Sequence, residues 1–216
     1  MKYKMRYLVV DISTTAQPGV ENSTYLSWVN KRGNFTPEEA YSKAGLHPEY
    51  GMICGLAAWW VSFDAGFENY TLHKAYSATA STPEEEEQLL LGLEENLGED
   101  VVLVGHNSQD FIIPFIAKRY LGNGLRLPAC IWEAINDKTF YDTMRELACG
   151  GASVMSLRAS AWMFGIDDPR SGVASPRFYQ LCQAHRMGEI EELTNQNAKV
   201  AARVFANCVL GNLIQL

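Results

Sequence analysis

The chain has 216 residues, 47% hydrophobic and 20% charged, which excludes a disordered protein and leaves room for one sizeable domain. A formal net charge of −7 argues against a protein that wraps duplex DNA non-specifically, because that needs a broad Lys/Arg surface to release counterions. It does not exclude a metal enzyme, whose pocket is itself acidic.

The elements follow in chain order. Tyr7–Ile12 is an apolar, β-branched run that predicts a central strand, ending in Asp11 and the turn-like residues of YLVVDISTT. Residues 16–33 are polar and irregular, a surface loop. Thr36-Pro37-Glu38-Glu39 carries a hydroxyl cap, a first-turn proline and acids, and opens a short helix. Gly51–Phe63 predicts a long strand, paired as a hairpin with Phe67–Ser77. In STPEEEEQLLLGLEENLG, Ser81 or Thr82 caps an amphipathic helix whose Glu84–Glu87 run reads as a solvated, dipole-favoured start. VVLVGHN is a short buried strand, and Phe111–Leu121 the helix after it. From Phe140 onward the chain reads as helical, around Asp142–Leu147, Ser156–Phe164, Ser175–His185 and Glu189–Val209, with DDPRSG (167–172) as a loop. Early strands, a strand–helix alternation and a mostly helical C-terminal part predict a single α/β domain over residues 1–216, a mixed sheet flanked by helices.

Five cysteines are scattered without a C-x-x-C pair, so buried free thiols in a reducing cytosol are expected, with neither a zinc site nor a disulfide framework. The N-terminal apolar run is too short for a signal peptide, and no stretch approaches a membrane span. A cytoplasmic protein with no membrane contact is the expectation.

Three segments carry chemistry: Asp11 at its strand end, GHNSQDFIIPFIAKRYLGNGLRLP (Gly105–Pro128), and EIEELTNQNAKVAARVF (Glu189–Phe205). Together with TPEEAYSKAGLHPEYGMICGLA, YDTMREL and SLRASAWMFGIDDPR they resemble the DnaQ-like, or DEDD, 3′–5′ exonucleases of the RNase H-like fold. Within that superfamily the resemblance is to the bacterial and phage group related to the proofreading domain of family-B DNA polymerases, over almost the whole chain.

The resemblance implies metal-dependent 3′–5′ trimming of a single-stranded nucleic acid 3′ end, with a replication or repair protein as partner. Two Mg²⁺ or Mn²⁺ ions, about 3.5–4 Å apart, would clamp the attacking and leaving oxygens. In the family four carboxylates hold them, and a Tyr or His near the last one positions water. Carried over residue by residue, the first Asp is Asp11, but the Glu position holds Ser13. In G-H-N-x-x-x-F-D-x-P the chain matches at Gly105, His106, Asn107, Phe111 and Pro114, with Ile112 at the Asp position. The last helix places Leu193 at the Tyr and Asn197 at the Asp. One of four metal carboxylates survives, so the first expectation is a pseudoenzyme that keeps the fold, with Asp11 holding at most a single weak metal and no cofactor as the alternative.

Two other readings stay open. A working exonuclease could use Asp11 with Asp110 and Asp142, although Asp110 lies two residues before Ile112, about 200° away on a helix. A protein-interaction scaffold fits the acidic charge. His106, Asn107 and Phe111 are substrate-side residues by resemblance; by their own chemistry His106 and Asn107 stabilise a strand-to-helix turn, with Asn107 as a cap. Trp59 and Trp60 must face opposite ways on one strand, and sheet packing outweighs base stacking for them. Lys118, Arg119 and Arg126 read as a solvated helix face.

Overall fold

A computed structural model of the chain describes residues 6–20, 25, 35–98, 100–168 and 176–211. The apolar run that begins at Tyr7 forms β1 (Arg6–Ala16), four residues longer at its far end than its β-branched core implies. Leu8, Val10 and Ile12 point to one face and Tyr7 and Val9 to the other, and all five are buried. A strand with both faces covered must lie at the centre of a sheet. The order is β3-β2-β1-β4-β5. β2 (Gly51–Phe63) runs antiparallel to β1, and β3 (Tyr70–Thr79) antiparallel to β2. β4 (Val101–Gly105) and β5 (Phe140–Asp142) run parallel to β1 and to β4 respectively, which makes the sheet mixed.

The helix starts follow cap chemistry. α1 (Pro37–Ala44) begins with a full capping box between Thr36 and Glu39. α2 (Pro83–Glu94) is capped by Thr82, which accepts from the Glu85 amide, while Ser81 donates to the Glu85 carboxylate. A single π-helical turn, Ser108–Ile112, precedes α3 (Ile113–Gly122), so the helix starts two residues later than its apolar pattern implies. α4 (Ala129–Asn136) has no side-chain cap, and its sequence gives no start signal. α5 (Thr143–Leu147) follows β5 directly: the segment read as helical from Asp142 begins as a strand, and Asp142 is the cap. α6 (Leu157–Met163), α7 (Pro176–Gln183) and the long α8 (Met187–Leu210) complete the chain. Most of the expected 16–33 loop and of DDPRSG lies outside the described residues.

Two layers of core result. Beneath the sheet, Leu8, Val10 and Ile12 pack with Leu89 and Leu90 of α2, Ile113 and Phe115 of α3 and Ile131 of α4. Above it, Val200, Ala201, Val204 and Phe205 of α8 cover Tyr7, Val9 and Val104. α8 comes down on β2 at Gly55, where a Cβ would lie 2.6 Å from Thr194 Oγ1; only glycine allows that approach. Trp59 donates to Asn195 on the α8 side, while Trp60 packs against the opposite core and under the Arg6 guanidinium. Their opposed directions come from the alternation of the strand.

Two charged groups depart from the solvated reading. Glu86 is 0% exposed and Arg119 5%. The guanidinium reaches Glu86 at 2.6–3.1 Å through Nε and Nη2 and donates through Nη1 to the Pro48 carbonyl. Ile53 N–H also donates to Glu86, at 2.7 Å. The first helical turn of α2 thus turns one of its four glutamates inward, tying α2, α3 and β2 together. Of the expected buried thiols, Cys54, Cys130 and Cys208 are buried, but Cys149 is exposed and Cys182 half-buried. Among the described residues no helix is long and apolar enough to cross a membrane.

Candidate functional site

β1 delivers Asp11 and Ser13 to the same face, since strand side chains alternate. That face is covered by α8. Ser13 is 2% exposed, and its Oγ lies 2.6 Å from Thr194 Oγ1, which in turn donates to the Ile190 carbonyl at 2.7 Å. Asn197 is half-buried one turn after Thr194 on the same helix, and Leu193 packs on a cluster of Cys54, Phe178, Leu181 and Ile190. Asp11 is half-buried. Ile112, by contrast, belongs to the core beneath the sheet with Val10 and Ile12. Its Cδ1 sits where a Cβ on Gly105 would come within 3.0 Å. The positions that the resemblance assigns to one metal centre are therefore divided between two faces of the sheet.

The strand-to-helix turn explains where His106 and Asn107 go. Asn107 takes the left-handed conformation, φ 70°, and stands at the cap position without a side-chain cap bond. Its carbonyl accepts from both Phe111 and Ile112 amides at 3.2 Å, closing the π turn. The side-chain capping expected of Asn107 is therefore done by backbone geometry. His106 Nε2 donates to the Met155 carbonyl at 2.8 Å, because a carbonyl can only accept, and Nδ1 meets the Thr143 hydroxyl at 3.0 Å. Both ring nitrogens thus tie the end of β4 to α5 and to the segment before α6.

The two acids considered as replacement ligands are engaged elsewhere. Asp142 is buried and accepts three backbone N–H bonds: Asn107 and Met144 on Oδ1 at 2.9 and 3.0 Å, Gln109 on Oδ2 at 2.9 Å. Its carboxylate pins the π turn to β5. Asp110 is exposed and paired with Arg145. Among the described residues no three His, Cys, Asp or Glu side chains gather as metal ligands. This donor set, a buried hydroxyl pair, a core isoleucine and one amide on α8, does not fit a two-metal centre.

Beside the end of β1 opens a cleft of about 500 Å³. It is lined by Ser13 and Thr14 of β1, Lys43 of α1 and Leu46 just beyond it, Phe111, and Phe178 and Tyr179 of α7. Tyr179 is stacked on Tyr41, with ring planes 4° apart. Glu39 also borders the cleft; donation from the Thr36 backbone N–H holds its carboxyl below the usual range. Of the cleft residues, Phe178 and Tyr179 alone lie outside the segments that carry the resemblance. Phe178 and Tyr179 had no signal beyond the helical spacing of their segment, because the cleft forms where distant helices meet.

No protein-family model and no curated protein sequence matches the chain. Solved structures match its fold. The family B DNA polymerase of the hyperthermophilic archaeon Pyrobaculum calidifontis superposes with a TM-score of 0.50 at 14% identity, over 95% of this chain and 24% of that one. E. coli exonuclease I in complex with a dT13 oligonucleotide gives a TM-score of 0.50 at 11% identity, over 95% and 41%. Exonuclease I in its apo form gives 0.51 at 12%, over 97% and 43%. The chain spans less than half the length of each of these proteins. What it shares with them is the mixed five-stranded sheet flanked by helices: a DnaQ-like exonuclease fold.

Proposed function

We propose that this chain is a single-domain, DEDD-superfamily pseudoenzyme that holds a single-stranded nucleic acid 3′ end in the cleft beside β1 without hydrolysing it. The observation that carries this reading is the buried Ser13–Thr194 hydrogen bond. It stands where the resemblance asks for a metal-binding glutamate, and it joins β1 to α8 with no carboxylate between them. Neutral hydroxyls do not offset the charge of two divalent ions. Asp11 remains as a carboxylate for one weakly held Mg²⁺ or Mn²⁺. For binding, the cleft offers Phe111 and Tyr179 as stacking surfaces and Lys43 as a cation. A replication or repair protein as partner and a cytoplasmic location belong to the same reading.

The test is direct. Labelled single-stranded DNA and RNA are incubated with the full chain and Mg²⁺ or Mn²⁺, and affinity is measured across a salt series. The expected outcome is salt-dependent binding without shortening of the strand. Metal-dependent 3′ trimming that disappears in Asp11→Ala would overturn the pseudoenzyme reading. Absence of salt-dependent binding would favour a protein-interaction scaffold instead.

A further inference from the structure

Cys54 is the extra residue of a β-bulge. Ser13 pairs with Gly55 and Thr14 with Ile53, so Cys54 faces no partner residue on β1. A bulge re-aims one side chain. Here Ile53 and Leu56 point into the core beneath the sheet, whereas Cys54 joins Phe178, Leu181 and Ile190 in a separate cluster, against which Cys182 of α7 also packs. Cys54 and Cys182 therefore meet at the same small cluster between β2 and α7, near enough for each thiol to shift the other's titration.

We propose that Cys54 and Cys182 form a reversible disulfide under a hydroperoxide oxidant, and that this bond clamps α7 against the sheet at the side of the cleft. Cys182 is half-buried and Cys54 fully buried, so the oxidant meets Cys182 first. The Cys182 thiolate attacks the O–O bond; an S–O bond forms, the O–O bond breaks, and the alkoxide or hydroxide leaves with a proton. Cys54 sulfur then attacks the Cys182 sulfenic sulfur; the S–S bond forms, the S–O bond breaks, and hydroxide leaves as water with the Cys54 proton. Two thiols and one hydroperoxide give a disulfide, an alcohol (or water) and water. The division of labour suits the surroundings. The neighbouring Cys54 thiol, with the Thr15 side chain, holds the Cys182 thiol below its ordinary range, and burial pushes Cys54 well up.

The bond would act on the cleft because Phe178, which lines it, lies one helical turn before Cys182 on α7. The proposal is independent of what the cleft binds.

The test maps disulfides in the full chain after graded hydrogen peroxide, with unfolding in N-ethylmaleimide and digestion without reductant. The expected result is a cross-linked peptide pair carrying Cys54 and Cys182, two hydrogens lighter than the separate peptides and released by dithiothreitol. It should persist in Cys149→Ser and vanish in Cys182→Ser. The proposal fails if both thiols stay alkylatable at doses that oxidise exposed Cys149, or if Cys182 proceeds to sulfinic acid with Cys54 still free. Wild-type mapping decides this even where a cysteine variant does not fold. Hydrogen exchange over residues 176–183 should slow severalfold in the oxidised form; unchanged exchange with the disulfide in place would overturn the clamp.

Discussion

Ser13 Oγ is the donor and Thr194 Oγ1 the acceptor in the contact that joins β1 to α8. Thr194 has one hydroxyl proton and gives it to the Ile190 carbonyl at 2.7 Å, so the 2.6 Å bond to Ser13 must use the serine proton. The chain of donation runs one way, from strand to hydroxyl to helix carbonyl, and it is complete without a cation.

Ser13→Ala therefore removes one buried hydrogen bond but leaves no donor stranded, and should cost about 0.5–1.5 kcal/mol. Ser13→Glu puts a carboxylate where Thr194 and Ile190 already press on Gly55. An unpaired buried charge costs about 3–5 kcal/mol, so an acid at this position should destabilise the fold rather than build a metal site. Urea unfolding of both variants checks this. Equal costs for the two would show that the pocket has room for the acid.

The Glu86–Arg119 pair gives a second contrast. Removing one partner from a buried ion pair costs about 3–5 kcal/mol, and Arg119→Ala should fall in that range because Glu86 is 0% exposed. The neighbouring residue is the control. Lys118 pairs with Glu49 at 2.6 Å, but both side chains are more than half exposed, so Lys118→Ala should cost about 0–1 kcal/mol. Similar urea midpoints for the two variants would contradict the assignment of Arg119 to the interior.

That contrast also shows what the sequence could and could not reveal. Adjacent residues Lys118 and Arg119 look alike in the chain, and the glutamate run looks like any acidic helix start. The pairing of position 86 with 119 exists only once α2 and α3 lie on the same face of the sheet. The β1 run, the Thr36 cap and a cap at Ser81 or Thr82 were legible because their physics is local. β5 was not, since three residues make a strand only when β4 is beside them. At the candidate site, the resemblance alone assigned positions 13, 112 and 197 to carboxylates. It did not show that Ile112 lies under the sheet and Ser13 above it, or that a bulge turns Cys54 toward α7.

Asp142 offers a test of the turn. Its two oxygens accept three backbone N–H bonds, and Asn in its place can keep one oxygen only. In Asp142→Asn one set of amides faces an NH₂ group, a donor against a donor, at a cost of about 1–3 kcal/mol. Asp110→Asn, which breaks the exposed pair with Arg145, should cost less than about 1 kcal/mol. A calorimetric scan that ranked the two in reverse would remove Asp142 from the role of holding the π turn.

Alkaline stability follows from the buried thiols. Burial pushes the Cys130 thiol from 9.0 to about 11 and Cys208 to about 12, and Tyr120 is also raised. Between the ordinary value and these raised ones the unfolded chain has lost protons that the folded chain keeps. Stability is then fully present below about pH 9 and declines as pH rises toward about 11–12, because the unfolded state binds fewer protons there. Urea midpoints should hold steady from neutral pH to about 8.5 and fall beyond it. Cys130→Ala and Cys208→Ala start lower, having lost packed side chains, but each should show a shallower alkaline decline than the parent. If both variants decline as steeply as the parent, these two thiols are not the source of the loss, which then belongs to Cys54 and the raised tyrosines.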